Sequence, residues 1–273
     1  MELWLRLVAG LCASSAIALF AWRRGSLSRS GALAALAIGT SIYAGGGGVW
    51  FLALFTFFVT STLLAKVGRT RKAQIKLEFE KGDTRDALQA CANGGVAALC
   101  ALGAVLAPHA AWTGAFLGAL ATANGDTWAT ELGTLSQREP WSLLGLRRVP
   151  RGSSGAVSPL GLGATAAGGL VIGLVVAAGE GGPTRGLGVA LLGLVCGVAG
   201  SLADSLLGAS LQAGYRCPAC AVATEGARHA CGSRTQLTRG FAWFDNDLVN
   251  LAATLFGALL GASGMALLGP GAP

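Results

Sequence analysis

The sequence predicts an all-α, polytopic transmembrane bundle of about eight spans, and three observations carry that prediction. The chain has 273 residues, 53% of them hydrophobic and only 12% charged, with a mean hydropathy of +0.60. Such a composition belongs to a protein dissolved in lipid rather than one folded around a soluble core. Its apolar residues gather into runs that approach the roughly 20 residues a bilayer-spanning helix needs. Finally, 18 of the 20 Lys and Arg residues fall in alternate gaps between those runs. Little chain is left over, so 1–273 reads as a single integral membrane domain.

The runs lie at 3–22, 31–44, 49–65, 87–107, 111–135, 160–178, 187–207 and 244–268. The first follows Glu2, lacks a basic leader and ends at Arg23-Arg24, so it reads as a retained helix rather than a secretory signal. The second is short and joins the third through four glycines at 45–48. The two form either a tight hairpin of spans or a re-entrant pair, which would change the count to seven or nine. The 43 glycines suit helices that approach closely in lipid, where small residues bring backbones together.

Three long polar gaps, 66–86, 136–159 and 208–243, share one side of this topology with the short gap after the first run. The positive-inside rule puts that side in the cytoplasm, with both termini outside, and a cell inner membrane is the expected location. The net charge of +7 therefore reports topology, and no nucleic-acid partner is inferred. The mixed-charge segment 66–86 reads mostly as a solvated interfacial helix near anionic lipid. In 136–159, Arg147, Arg148 and Arg151 adjoin the small-residue turn Gly152, Ser153, Ser154 and Gly155. Arginine forks and free backbone N–H groups both favour phosphate, though a plain positive-inside loop has the same look.

Carboxylates in or beside apolar helix are costly and default to a functional reading. Asp126 and Glu131 stand in NGDTWATELG, Asp204 in GSLADSLLG, and Asp245 with Asp247 in WFDNDLVN. Asp126, Asp204 and Asp245 come from three spans, each near its cytoplasmic end. Carboxylates meeting there would need a cation, and hard oxygen ligands beside phosphate point to Mg²⁺. Asp245 alone also fits a helix N-cap. Asn124, Asn246 and Asn250 add neutral polar groups nearby, and Lys66, at the end of the third run, is a further phosphate contact. Glu131 is rotated well away from Asp126 on a helix and serves another ligand or a helix partner. Asn93, with Gln89 one turn earlier, is either an interhelical hydrogen bond or a ligand contact.

Cys12, Cys91, Cys100 and Cys196 sit in apolar runs and read as small core residues. By contrast Cys217, Cys220, His229 and Cys231 form C-x2-C-x8-H-x-C in one polar loop, with the ligand types of a structural zinc site. A disulfide is the competing reading, disfavoured in a reducing cytoplasm. No P-loop occurs, two histidines support no Ser/His/Asp set, and conventional soluble kinase folds are excluded.

The motifs FFVTSTLLAKVG (57–68), QACANGG (89–95), NGDTWATELGTLS (124–136), RRVPRGSSGAVSPLGLGA (147–164), GSLADSLLGASLQ (200–212) and DNDLVN (245–250) together resemble the transmembrane protein 19 family, also known as domain of unknown function 92. Its plant members include phytyl-phosphate kinases. The resemblance implies a prenyl-phosphate kinase, an Mg²⁺-dependent phosphotransferase with a nucleoside triphosphate, CTP among the candidates, as donor. The acceptor would be a membrane isoprenoid such as phytyl or geranylgeranyl phosphate. Asp126, Asp204 and Asp245 would then be the catalytic metal ligands. Substrate or nucleotide would be bound by Lys66, Asn93, Asn124, Glu131, the arginine loop, Asn246, Asp247 and Asn250. The alternatives are a CTP-dependent cytidylyltransferase on a lipid phosphate and an isoprenoid-phosphate transporter. An oligomer is left open.

Overall fold

In the computed structural model, residues 2–68, 72, 84–180, 182–224 and 226–269 are described. Most of the 66–86 segment therefore lies outside the described residues. Among the described residues there are seven α-helices: α1 (Leu3–Arg23), α2 (Arg29–Lys66), α3 (Ala87–Leu106), α4 (Ala110–Gly133), α5 (Pro159–Ala177), α6 (Pro183–Ser210) and α7 (Asn246–Leu267). All but α4 are long and apolar enough to cross a membrane by length and composition. The protein is an integral membrane helical bundle.

The predicted hairpin at the glycine run is formed inside α2. Gly47 has φ +66 and ψ −155, a conformation L side chains rarely adopt, and there the helix breaks. Ala35 and Phe58 line one cavity, although about 35 Å would separate them on a straight helix. The chain thus reverses at Gly47, and the seven helices among the described residues provide eight helical legs.

Helix starts are fixed by side-chain caps where the sequence offers them. Ser28 accepts from Gly31 N at the start of α2, and Ser158 accepts from Gly161 N before Pro159 at the start of α5. Asp86 and Gln89 form a reciprocal capping box on α3. Gln89 is thus part of a cap rather than an interhelical bond.

Helix α4 is the axis of the bundle, in contact with α2, α3, α5, α6 and α7. Phe116, Leu117 and Leu120 are fully buried, and Trp50 stacks on Phe116 at 4.2 Å. Its sharpest contact is with α7: a Cβ on Gly118 would lie 1.9 Å from the Gly257 carbonyl oxygen. Only hydrogen fits there, so backbone meets backbone, the small-residue packing that lipid-embedded helices favour.

Among the described residues, two β ribbons, absent from the all-α expectation, organise polar loops. β1 (Trp141–Ser142) pairs antiparallel with β2 (Ala156–Val157). In the Cys/His loop, β3 (Gly214–Arg216) is flanked by β4 (Ala223–Thr224) and β5 (Gln236–Arg239).

Candidate functional site

The polar residues of α4 divide into two stripes. Thr122 and Asp126, one turn apart, face α6 and α7. Thr122 Oγ1 donates to Cys196 O at 3.1 Å, and Asp126 Oδ1 accepts from Ser201 Oγ at 3.1 Å. Ser201 lies three residues before Asp204, so both point along one face of α6. Ser201 is buried and Asp204 half-buried. Antiparallel contacts of Gly114 with Gly261 and Gly118 with Gly257 set the register of α7. Two turns further on, that register brings Asp126 to the level of Val249 and Asn250. Asp126, Ser201, Asp204, Asp247 and Asn250 therefore share one tier, at the end of the bundle that carries the arginine loop.

The second stripe, Asn124, Thr127 and Glu131, turns toward α2. Asn124 is fully buried; its amide donates to Gly168 O at 2.7 Å and its oxygen accepts from Thr60 Oγ1 at 3.2 Å. It clamps α2, α4 and α5, a structural role in place of the expected ligand role. Trp128 donates its indole N–H to the same Thr60 hydroxyl. Glu131 is buried and lies 2.5 Å from Lys72 Nζ, which is itself 2% exposed and also donates to Leu64 O. Glu131 thus serves a helix partner, the second of its two expected roles.

At the start of α7 the two acids exchange places relative to expectation. Asp245 is exposed and caps the helix, accepting from Asp247 N and Leu248 N, both at 3.1 Å. Its oxygen serves the exposed helix start, which corrects its placing among the converging acids; Asp247, two residues on, is buried at 7% exposure. Asn246 is exposed, and Asn250 donates to Asn246 O within its own helix. Asn93 likewise donates to Gln89 O and lines a cavity. Lys66 is exposed at the end of α2.

The arginine loop docks onto α6 just beyond Asp204. Gly155 has φ +71, and a Cβ there would lie 2.2 Å from Ser205 O. Ser154 Oγ donates to Gly208 O and meets Gln212 Oε1 at 2.5 Å. Ser153 N and Ala156 N close turns on Pro150 O and Ser153 O. The turn 152–155 is thus anchored on α6 through Ser154 and Gly155, and within it the Ser153 N–H is engaged in a turn of its own. The arginines stay at the surface: Arg148 lies over the Trp141 ring at 4.8 Å and donates to Glu139 O, Arg151 donates to Ser136 O, and Arg147 is exposed.

The Cys/His residues do converge. One ligand atom each from Cys217, Cys220, His229 and Cys231 lies within 4.8 Å of the others. Cys217 Sγ is 3.6 Å from Cys231 Sγ, which is 3.1 Å from His229 Nδ1. Bonds of about 2.3 Å to a tetrahedral metal would place two sulfurs about 3.8 Å apart, close to what is found. Hydrogen bonds from Ser233 and His229 pull the Cys231 thiol down to about 5, while sharing with Cys231 and Cys217 pushes Cys220 up to about 11. Among the described residues, this is the one group of three or more His, Cys, Asp or Glu side chains close enough to hold an ion by themselves. Asp126, Asp204 and Asp245 form no such cluster.

Sequence reasoning missed Ser201, Lys72 and Arg85. Ser201 carried a signal, standing one turn before an intramembrane acid. Lys72 and Arg85 did not, being two basic residues in a run that reads as solvated.

A helical bundle with an acidic tier inside and basic loops at one end is an integral membrane protein with a polar site at one bilayer face. The match to the family of integral membrane proteins DUF92 covers residues 12–258, and the chain belongs to that family. It is 31% identical to Protein PGR of Arabidopsis thaliana over 231 residues, 76% of this chain and 79% of that one. It is 26% identical over 263 residues to an uncharacterised membrane protein of Methanocaldococcus jannaschii, 96% and 95% of the two chains. An uncharacterised membrane protein of Synechocystis is 28% identical over 178 residues, 64% and 68%. No solved structure matches.

Proposed function

We propose that this chain is a prenyl-phosphate kinase, moving the terminal phosphoryl group of a nucleoside triphosphate, CTP among the candidates, onto a membrane isoprenoid monophosphate. The observation that carries the reading is the contact of Asp126 with Ser201 one turn from Asp204, where the arginine loop docks. In this reading the tier faces the cytoplasm, where the donor is found, and both termini lie outside. The resemblance of the same motifs to a family with phytyl-phosphate kinases supports it.

The donor set fits Mg²⁺. The ion is normally held by one or two carboxylates plus substrate phosphates, not by an all-protein cage, which agrees with carboxylates in one tier that form no cluster by themselves. Asp126 and Asp204 would hold it, with Asp247 beside them, and it would supply charge neutralisation at the donor phosphates. Ser201 fixes the Asp126 carboxylate. Arg147, Arg148 and Arg151 would contact donor phosphate oxygens from the loop above. An oxygen of the acceptor monophosphate attacks the terminal phosphorus, the bond from phosphorus to the bridging oxygen breaks, and the nucleoside diphosphate leaves. An ionised phosphate needs no strong general base, and the site has none; positioning and charge compensation carry the reaction.

The test is mass analysis of products from purified protein in lipid with Mg²⁺, mixed nucleoside triphosphates and geranylgeranyl phosphate. Prenyl diphosphate with a nucleoside diphosphate is expected. A CMP-lipid with pyrophosphate would replace the kinase with a cytidylyltransferase, and prenyl-phosphate flux across vesicles without nucleotide would replace it with a transporter.

The convergence of Cys217, Cys220, His229 and Cys231 supports a structural zinc, since four protein ligands leave no open position for catalysis. Metal analysis of purified protein should find one zinc per chain and none in Cys217→Ser; a zinc-free wild type would discard the site.

A further inference from the structure

A cavity lies on the other side of α4 from the acidic tier, between α1, the two legs of α2 and α3. The cavity has a volume of about 120 Å³. Its walls are apolar, built largely from Ile38, Phe51, Leu54 and Phe57. Its polar lining is Ser14 at mid-helix in α1 and, at the arginine-loop end of the bundle, Arg85, Gln89, Asn93 and Thr127.

The charged residue of that lining is a cation, Arg85. Arg85 is half-buried, with its guanidinium carbon 6.0 Å from the Phe57 ring centroid. Burial pushes its pKa down, against the pull of Glu131. Glu131 is itself ion-paired with Lys72. Asp86, the next residue, is engaged as the cap of α3, and Arg85 is the charged side chain of the cavity lining. Thr127 follows Asp126 directly, about 100° around α4, so a phosphate at the cavity mouth sits between the Arg85 side and the acidic tier.

We infer that this cavity holds the first isoprenoid units of a prenyl monophosphate, with the phosphate at its mouth among Arg85, Gln89, Asn93 and Thr127. The inference rests on the kinase reading for what becomes of the phosphate, and adds where the acceptor sits. Size sets how much of the chain is enclosed. A cavity of about 150 Å³ holds one benzene, so this one encloses only the isoprenoid units nearest the phosphate, and the rest of the tail runs out between helices into lipid. Affinity should then depend on the first units and little on total chain length. A phosphatidic acid puts a glycerol between phosphate and tail and carries a second chain beside the first, for which this volume has no room.

The experiment is nucleotide-free binding of geranylgeranyl monophosphate to the purified full-length protein in detergent, followed by native mass spectrometry. Ala35→Phe and Ala90→Phe fill the cavity, Arg85→Gln removes the cation, and Leu106→Phe, at an exposed site outside the cavity, is the control. Both filling variants should weaken binding by about tenfold or more. Arg85→Gln should bring the affinity for the phosphate close to that for geranylgeraniol, and the control should bind as wild type does. Wild-type affinity in both filling variants, no binding by wild type, or equal displacement by dioleoyl phosphatidic acid would each overturn the proposal. Should the filling variants misfold by thermal melting, a diazirine-bearing prenyl phosphate on the wild type decides. Labelling within 51–58 or 85–94 is expected, and labelling confined to α6 and α7 overturns the site. The two readings fail separately: turnover with unimpaired binding in filled variants sinks the cavity alone, and cavity-dependent binding with no turnover for any nucleotide sinks the kinase alone.

Discussion

The two polar stripes of α4 contain similar residue types, yet their surroundings give them different work. On the side toward α2, Asn124 bonds two neighbouring helices and Glu131 is closed by a buried lysine. On the side toward α6 and α7, Asp126 meets a hydroxyl one turn from Asp204 and shares its tier with Asp247. An intramembrane acid is costly on either side. Where a lysine of the chain closes it, as at Glu131, the acid is scaffold; where it meets a hydroxyl, as at Asp126, the kinase reading gives it a ligand role. Sequence spacing alone cannot separate the two cases.

The sharpest way to break this contrast is Asp126→Asn, which should lower turnover on the order of 10³-fold, the scale of losing one electrostatic contact to a transferring group. Its melting temperature should stay near that of wild type. Normal turnover would dissolve the distinction between the stripes. On the scaffold side, Lys72→Met should destabilise the protein by about 1.5–3 kcal/mol, the scale of losing one hydrogen bond to a buried charged group. Adding Glu131→Gln should recover most of that loss in denaturant melts, and failure to recover would show that Lys72 acts through something other than the pair. The smallest effect concerns the cap. Asp245→Asn should leave both melting and turnover nearly unchanged, since Asn caps as well as Asp, whereas Asp245→Ala should cost about 1 kcal/mol. Loss of turnover in Asp245→Asn would return that residue to the acidic tier.

Much of this fold is legible in the sequence because lipid imposes a simple rule: long apolar runs must be helices that satisfy their own backbone. The glycine run at 45–48 also signals its reversal, since Gly47 takes a positive φ. The site is less legible. Asp245 and Asp247 are two residues apart and chemically alike, and only the helix start decides which caps and which is buried. The turn 152–155 has the composition of an anion cradle, but its tertiary contact with α6 uses Gly155 and Ser154 for packing. Lys72 lies in a basic run, where nothing local distinguishes a buried ion-pair partner from a solvated charge.

The backbone contact between Gly118 and Gly257 has a consequence for how the protein is made. Helix α4 leaves the ribosome more than a hundred residues before α7, a wait of roughly 5–20 s at ordinary elongation rates of ~5–20 residues per second. Throughout it, the groove on α4 that only α7 can fill stands open, and Asp126 lies beside it. The backbone of α4 at Gly118 therefore gains its partner only once α7 has been made, and Gly257 is where the two meet.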